Sequence, residues 1–145
     1  YEVNLKLWEV EDRIRIHELN NEFNEKFIEL ARSVYFLNDE RFEIKSDINK
    51  CFESLRDHPH VSDVRQKGMV LAIELIKDKK RRISYSWKER RGIRAYLHGL
   101  KNNVLMRPLG NVIYFMPPYV ITKKEISFVS EIMKEAVDEA TKKNP

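Results

Sequence analysis

Two consecutive prolines, Pro117 and Pro118, close a stretch that runs from Asn102 to Tyr119 as Asn-Asn-Val-Leu-Met-Arg-Pro-Leu-Gly-Asn-Val-Ile-Tyr-Phe-Met-Pro-Pro-Tyr. Neither proline can donate to a ladder hydrogen bond, so the apolar run Val112 to Met116 has to end there. A first apolar run leads up to Arg107, and Pro108-Leu109-Gly110-Asn111 carries the residues of a tight turn. The stretch predicts an antiparallel hairpin with Arg107 at the end of its first strand, just where the turn opens. A guanidinium is always charged and expensive to bury alone, so Arg107 needs water, a carboxylate partner or an anionic ligand. From the residues alone, a structural ion pair and a ligand contact both stay open.

At 145 residues the chain suits one domain, or one lobe of a larger enzyme, with a core of its own. Its 34% charged and 42% hydrophobic residues exclude a disordered segment. A net charge of +4, with both signs interspersed, gives no nucleic-acid footprint. The only dense basic run, Lys77 to Arg82, reads as a solvated turn, and Tyr114 and Phe115, as neighbours on a strand, point to opposite faces and make no stacking platform. The single cysteine, Cys51, excludes an internal disulfide and fits a reducing, cytoplasmic setting; it falls in an apolar helical pattern and reads as core. No apolar run is long enough to span a bilayer, so no membrane partner is expected. The sequence begins with Tyr1 rather than Met, and a longer chain is expected.

Taken in order, Ile16, Leu19, Phe23, Phe27, Leu30 and Val34 recur at helical spacing and predict a long amphipathic helix, with a break at Tyr35 to Phe42. A second helix is predicted from Ser46 or Asp47, with Ile48, Cys51, Phe52 and Leu55 on one face, ending at Asp57-His58-Pro59-His60. The two histidines invite a metal reading, but their spacing is not that of ligands on a helix face and no cluster completes a site in sequence. The apolar run from Met69 to Ile76 predicts a strand covered on both faces, with Gly68 as a bulge or close approach at its entrance. Ser86 and Glu89 form a capping box for a helix whose apolar residues are Ile93, Tyr96, Leu97 and Leu100, stopped by Asn102-Asn103. After the hairpin, Thr122 and Glu125 form a second box. It opens a helix to about Thr141 with Ile126, Val129, Ile132, Met133, Ala136, Val137 and Ala140 on one face. The expected fold class is α+β: a small antiparallel sheet with a C-terminal hairpin, covered by helices.

Three of these stretches resemble class III aminotransferases, one of them the helix from Thr122, which is similar to that family's last helix. His58 to Leu75, with Val64-Arg-Gln-Lys-Gly68 and Ala72-Ile-Glu-Leu75, is similar to the start of the small-domain sheet of that family. Leu105 to Ile121, with Arg107-Pro-Leu-Gly110 and Ile113-Tyr-Phe-Met-Pro-Pro118, is similar to the C-terminal hairpin of its biotin-pathway branch. The resemblance implies the small domain of a fold-type I enzyme that uses pyridoxal 5'-phosphate, works as a homodimer and moves an amino group from S-adenosylmethionine to 8-amino-7-oxononanoate, giving 7,8-diaminononanoate. It implies that Arg107 binds the substrate carboxylate, for which a planar fork of donors is well shaped. It also implies that Tyr114 and Leu109 line the substrate pocket.

In that family the cofactor's lysine and ring partners belong to a large domain that has no match here, and Lys67 belongs to the strand motif instead. The isolated segment is therefore expected to be inactive, with residues 57–145 as the small domain and 1–56 as a helical segment poorly matched to the family. No catalytic, cofactor-binding or metal-binding residue is expected on it. The alternative is a stand-alone binding or interaction module derived from such a domain.

Overall fold

The computed structural model describes residues 2–142. The chain divides into two compact units, one of the residues up to Ser46 with Pro118–Ile121, the other of Asp47–Pro117 with the chain from Thr122 onward.

The first unit contains helix α1 (Glu2–Leu19) and most of helix α2 (Glu25–Phe52). The break predicted at Tyr35 to Phe42 does not occur. That stretch has neither glycine nor proline, so nothing removes a helical hydrogen bond, and α2 runs straight through it. The chain turns instead at Asn20–Asn24, inside what periodicity presented as one helix. Asn21 takes a left-handed φ of 54°, and the Asn24 side chain caps α2 by accepting from the Phe27 N–H at 3.2 Å. Ile16, Leu19 and Phe23, read as one buried face, are accordingly exposed. Within this unit the Arg41 guanidinium lies over the Tyr119 ring, 5.1 Å from its centroid.

The second unit is built on a four-stranded antiparallel sheet, β1 (Val61–Lys67), β2 (Val70–Leu75), β3 (Arg107–Leu109) and β4 (Val112–Phe115), in the order β1-β2-β4-β3. The α+β class with a C-terminal hairpin is as expected. Strand β1 was expected only from the family resemblance, not from the residue pattern: a register shift between Val61 and Asp63 breaks its alternation, and three of its residues are charged. Gly68 is neither a bulge nor a close approach. It sits at φ +62° in the two-residue turn joining Lys67 to Val70, and a Cβ there would meet nothing within 4 Å. Strand β2 is not covered on both faces: Leu71, Ile73 and Leu75 are buried, while Val70, Ala72 and Glu74 are partly open.

Helix α3 (Arg91–Lys101) and helix α4 (Lys123–Thr141) pack against each other, and α3 also packs on β3 and β4. The seven apolar residues expected on one face of α4 are all buried, and Thr122 caps it, its Oγ1 accepting from the Glu125 N–H at 3.2 Å. On α3 the outcome is reversed. Gly92, Ala95 and Gly99 face inward, and Ile93, Leu97 and Leu100 remain 39%, 50% and 43% exposed. Close approach decided the buried face: a Cβ on Gly99 would collide with Met106 and the Val104 carbonyl. The Ser86–Glu89 box caps a short 3-10 turn, Trp87–Glu89, rather than α3, which begins only after Arg90 at φ 49°. Asn103, at φ 60°, stops α3 as expected. Cys51 is half-buried beside the fully buried Ile48 and Phe52.

Because Gly68 is selected by its backbone angle alone, Gly68→Ala should cost about 1 kcal/mol in urea unfolding, and Gly68→Asn should recover much of it.

Candidate functional site

Strand register puts the candidate residues on one face. Arg107 is directly opposite Tyr114, Tyr114 opposite Ala72, and Ala72 opposite Arg65, so these four form a row across the sheet. A second row on the same face reads Leu109, Val112, Glu74, Asp63. Directly opposed side chains have Cβ atoms about 4.5–5.5 Å apart, so Arg107 and Tyr114 are immediate neighbours, and Leu109 follows Arg107 two residues on. This face is the open one: Arg107 is exposed, Leu109 is 71% exposed and Tyr114 is partly buried.

Arg107 begins β3 rather than ending it. The turn lies at Gly110–Asn111, with Gly110 at φ 61°, and Pro108 is part of the strand, tolerated because β3 is at the edge. Among the described residues the Arg107 side chain makes no ion pair or hydrogen bond. Its neighbours on the two rows, Tyr114, Leu109 and Val112, carry no charge.

Arg65, at the far end of the same face, is in the opposite situation. It donates to Asp63 at 2.8 Å and to Glu74 at 3.1 Å, and these bonds, Asp63 first, reinforce its charged form. Sequence reasoning missed this cluster. Its signal was Glu74 inside an apolar strand, facing the arginine of the adjacent run.

The hairpin is backed by a second cluster that the sequence did not reveal. Arg91, only 5% exposed, donates to the Ala140 and Lys142 carbonyls at 2.8 and 2.6 Å and to Glu89 at 2.7 Å, and lies over the Tyr85 ring. It thus caps the C-terminal end of α4, where a cation is favoured. Burial pushes the Tyr85 hydroxyl up, an effect partly offset by Arg91, while the hydrogen bonds from Arg91 hold the Glu89 carboxyl below the usual range. The histidines of the Asp57 to His60 stretch are engaged within this unit. His58 Nε2 lies 3.1 Å from Asp138, and His60 Nδ1 lies 3.2 Å from the Ile76 carbonyl and 3.1 Å from the Tyr85 hydroxyl. No group of three His, Cys, Asp or Glu residues among the described residues is placed to hold a metal.

With this geometry in place, comparison with known proteins shows the class: a family model for class-III aminotransferases matches residues 25–137, and the chain belongs to that family. Among individual relatives, it is 42% identical over 94 residues to the adenosylmethionine-8-amino-7-oxononanoate aminotransferase of Geobacter sulfurreducens, covering 65% of this chain and 21% of that protein. A crystal structure of the enzyme of the same name from Methanocaldococcus jannaschii superposes with a TM-score of 0.67 at 32% identity, over 78% of this chain and 26% of that one. The PMP-bound aminotransferase of Vibrio fluvialis, at 16% identity, shares the fold with a TM-score of 0.67 over 77% of this chain and 26% of that one. The chain thus spans about a fifth of the length of the curated relatives it matches.

The depressed Glu89 carboxyl gives a pH prediction. Its stabilising contribution is complete above the ordinary glutamate value of 4.5 and is lost as pH falls through the lower folded value. Glu89→Gln should therefore flatten part of the acid limb of stability measured by denaturant unfolding; Glu125 and Glu139 are also held below the usual carboxylate range by their hydrogen bonds with Thr122 and Lys142.

Proposed function

We propose that this chain is the substrate-gripping small-domain part of a pyridoxal-phosphate-dependent aminotransferase that transfers an amino group from S-adenosylmethionine to 8-amino-7-oxononanoate in biotin biosynthesis. The observation that carries the reading is Arg107: an exposed guanidinium with no acid partner among the described residues, set beside Tyr114 and Leu109 on the open face of the sheet. A planar fork of donors with no competing carboxylate is suited to the acid end of such an acceptor. Tyr114 flanks it on the adjacent strand, and Leu109 offers apolar surface to the acceptor's methylene chain. The similarity to enzymes of that name supports the choice of substrate.

The cofactor would supply the electron sink for amino transfer. The described residues do not fit it: no lysine among them is buried, so none is set in the desolvated site that a cofactor-bearing lysine occupies. In this reading the cofactor is held by a large domain outside this chain, residues 57–145 are the small domain, residues 1–56 precede it, and the complete enzyme is a homodimer. No helix among the described residues is long and apolar enough to cross a membrane, and a cytoplasmic location accords with the single cysteine.

Two measurements test the proposal. In the complete enzyme, Arg107→Ala should raise the KM for the carboxylate-bearing acceptor by about 10- to 150-fold, the equivalent of roughly 1.5–3 kcal/mol for one charged hydrogen-bonding partner. An unchanged KM would overturn the assignment. The 145-residue chain mixed with pyridoxal phosphate should give no strong visible absorbance band, and a strong one would show that the cofactor lysine lies within it.

A further inference from the structure

We infer that Gly92 and Asn111 are positioning residues: together they clasp the turn between β3 and β4 and thereby set where Arg107 presents its guanidinium. This rests on the reading of Arg107 given above. Strand β3 has three residues and a ladder on one side only, too little to fix its own position. The position is supplied by the turn. A Cβ on Gly92 would lie well inside van der Waals contact with the Gly110 carbonyl oxygen and 3.3 Å from Pro108 Cβ, so the first turn of α3 rests directly on the hairpin. The obstructing atom is backbone and cannot swing aside.

From the other side, Asn111 Nδ2 donates to the Tyr85 carbonyl at 2.8 Å, and the Asn111 carbonyl accepts from the Leu75 N–H at 2.8 Å. Tyr85 and the residue beside Gly92 are held in turn, because Arg91 stacks on Tyr85 and is tied to the end of α4. Alternation along β3 converts this anchoring into aim. Pro108 faces α3, whereas Arg107 and Leu109, on either side of it, face the open surface. Displacing Pro108 and Gly110 outward tilts the Arg107–Leu109 pair while Ile113 and Met106, both fully buried, keep the rest of the unit in register.

The test is a double-mutant cycle on the complete aminotransferase that carries this chain. Gly92→Ala and Asn111→Ala should each raise the KM for the carboxylate-bearing acceptor roughly tenfold, as misplacement of a binding group does, with kcat kept within about twofold. In an Arg107→Ala background neither should raise KM further, since residues acting through one contact are not additive. A rise in KM of the same size with and without Arg107, or a fall in kcat with KM unchanged, would overturn the positioning role. An Arg107→Ala enzyme with unchanged KM would instead remove the carboxylate reading on which it rests. Should Gly92→Ala fail to fold, Asn111→Ala, which loses one donor from a partly buried turn, completes the same cycle.

Discussion

The ladder between β2 and β4 is the constraint on which the second unit depends, because it joins two local hairpins, each only marginal by itself, into one sheet. Its register, Leu71 with Phe115 and Ile73 with Ile113, places three fully buried side chains and the nearly buried Phe115 on one face. The same register necessarily puts Ala72, Tyr114 and Arg107 on the other. A slip of one residue would carry Tyr114 and a permanent cation into the core and turn Ile113 out to water, so packing energy protects the arrangement of the open face. The open face of β2 and β4 inherits its register from the core.

The charges on that face are sorted by the same geometry. Arg65 bridges Asp63 and Glu74 at the β1 end, a cluster that keeps one net negative charge, and exposed pairs of this kind add little to stability. Their larger effect is to hold the two acids of this face, Asp63 and Glu74, on β1 and β2, leaving Arg107 among uncharged neighbours. The open apolar face of α3 belongs to the same picture. Ile93, Leu97 and Leu100 would ordinarily be the buried side of an amphipathic helix, yet a glycine and alanine stripe displaces them from that role.

Sequence made the fold class, the hairpin and all of α4 legible, because each combines strong periodicity with punctuation: Thr122 and Glu125 at one helix start, Gly110 and two prolines around the strands. It failed where two signals competed. Asn20, Asn21 and Asn24 end a helix that apolar spacing alone would continue, whereas Asn38-Asp39, equally polar, lies in a helix with no breaker near it. Strand β1 was hidden by a shifted register. The buried face of α3 was set by how closely a backbone carbonyl approaches, which no hydrophobicity pattern encodes. Of the candidate site, the three residues could be named from the sequence and brought onto one face by register, but the anchoring by Gly92, Arg91 and Asn111 depends on approaches across the fold.

Pro108 lends the outer strand a further property. It lacks an amide hydrogen and sits in the middle of a three-residue edge, so the row of donors and acceptors that an edge strand normally offers to a passing β-segment is interrupted here. Growth of the sheet by a foreign strand is discouraged at this margin. The side chains facing away from the helices can then stay open without the margin itself becoming a seed for fibrous assembly.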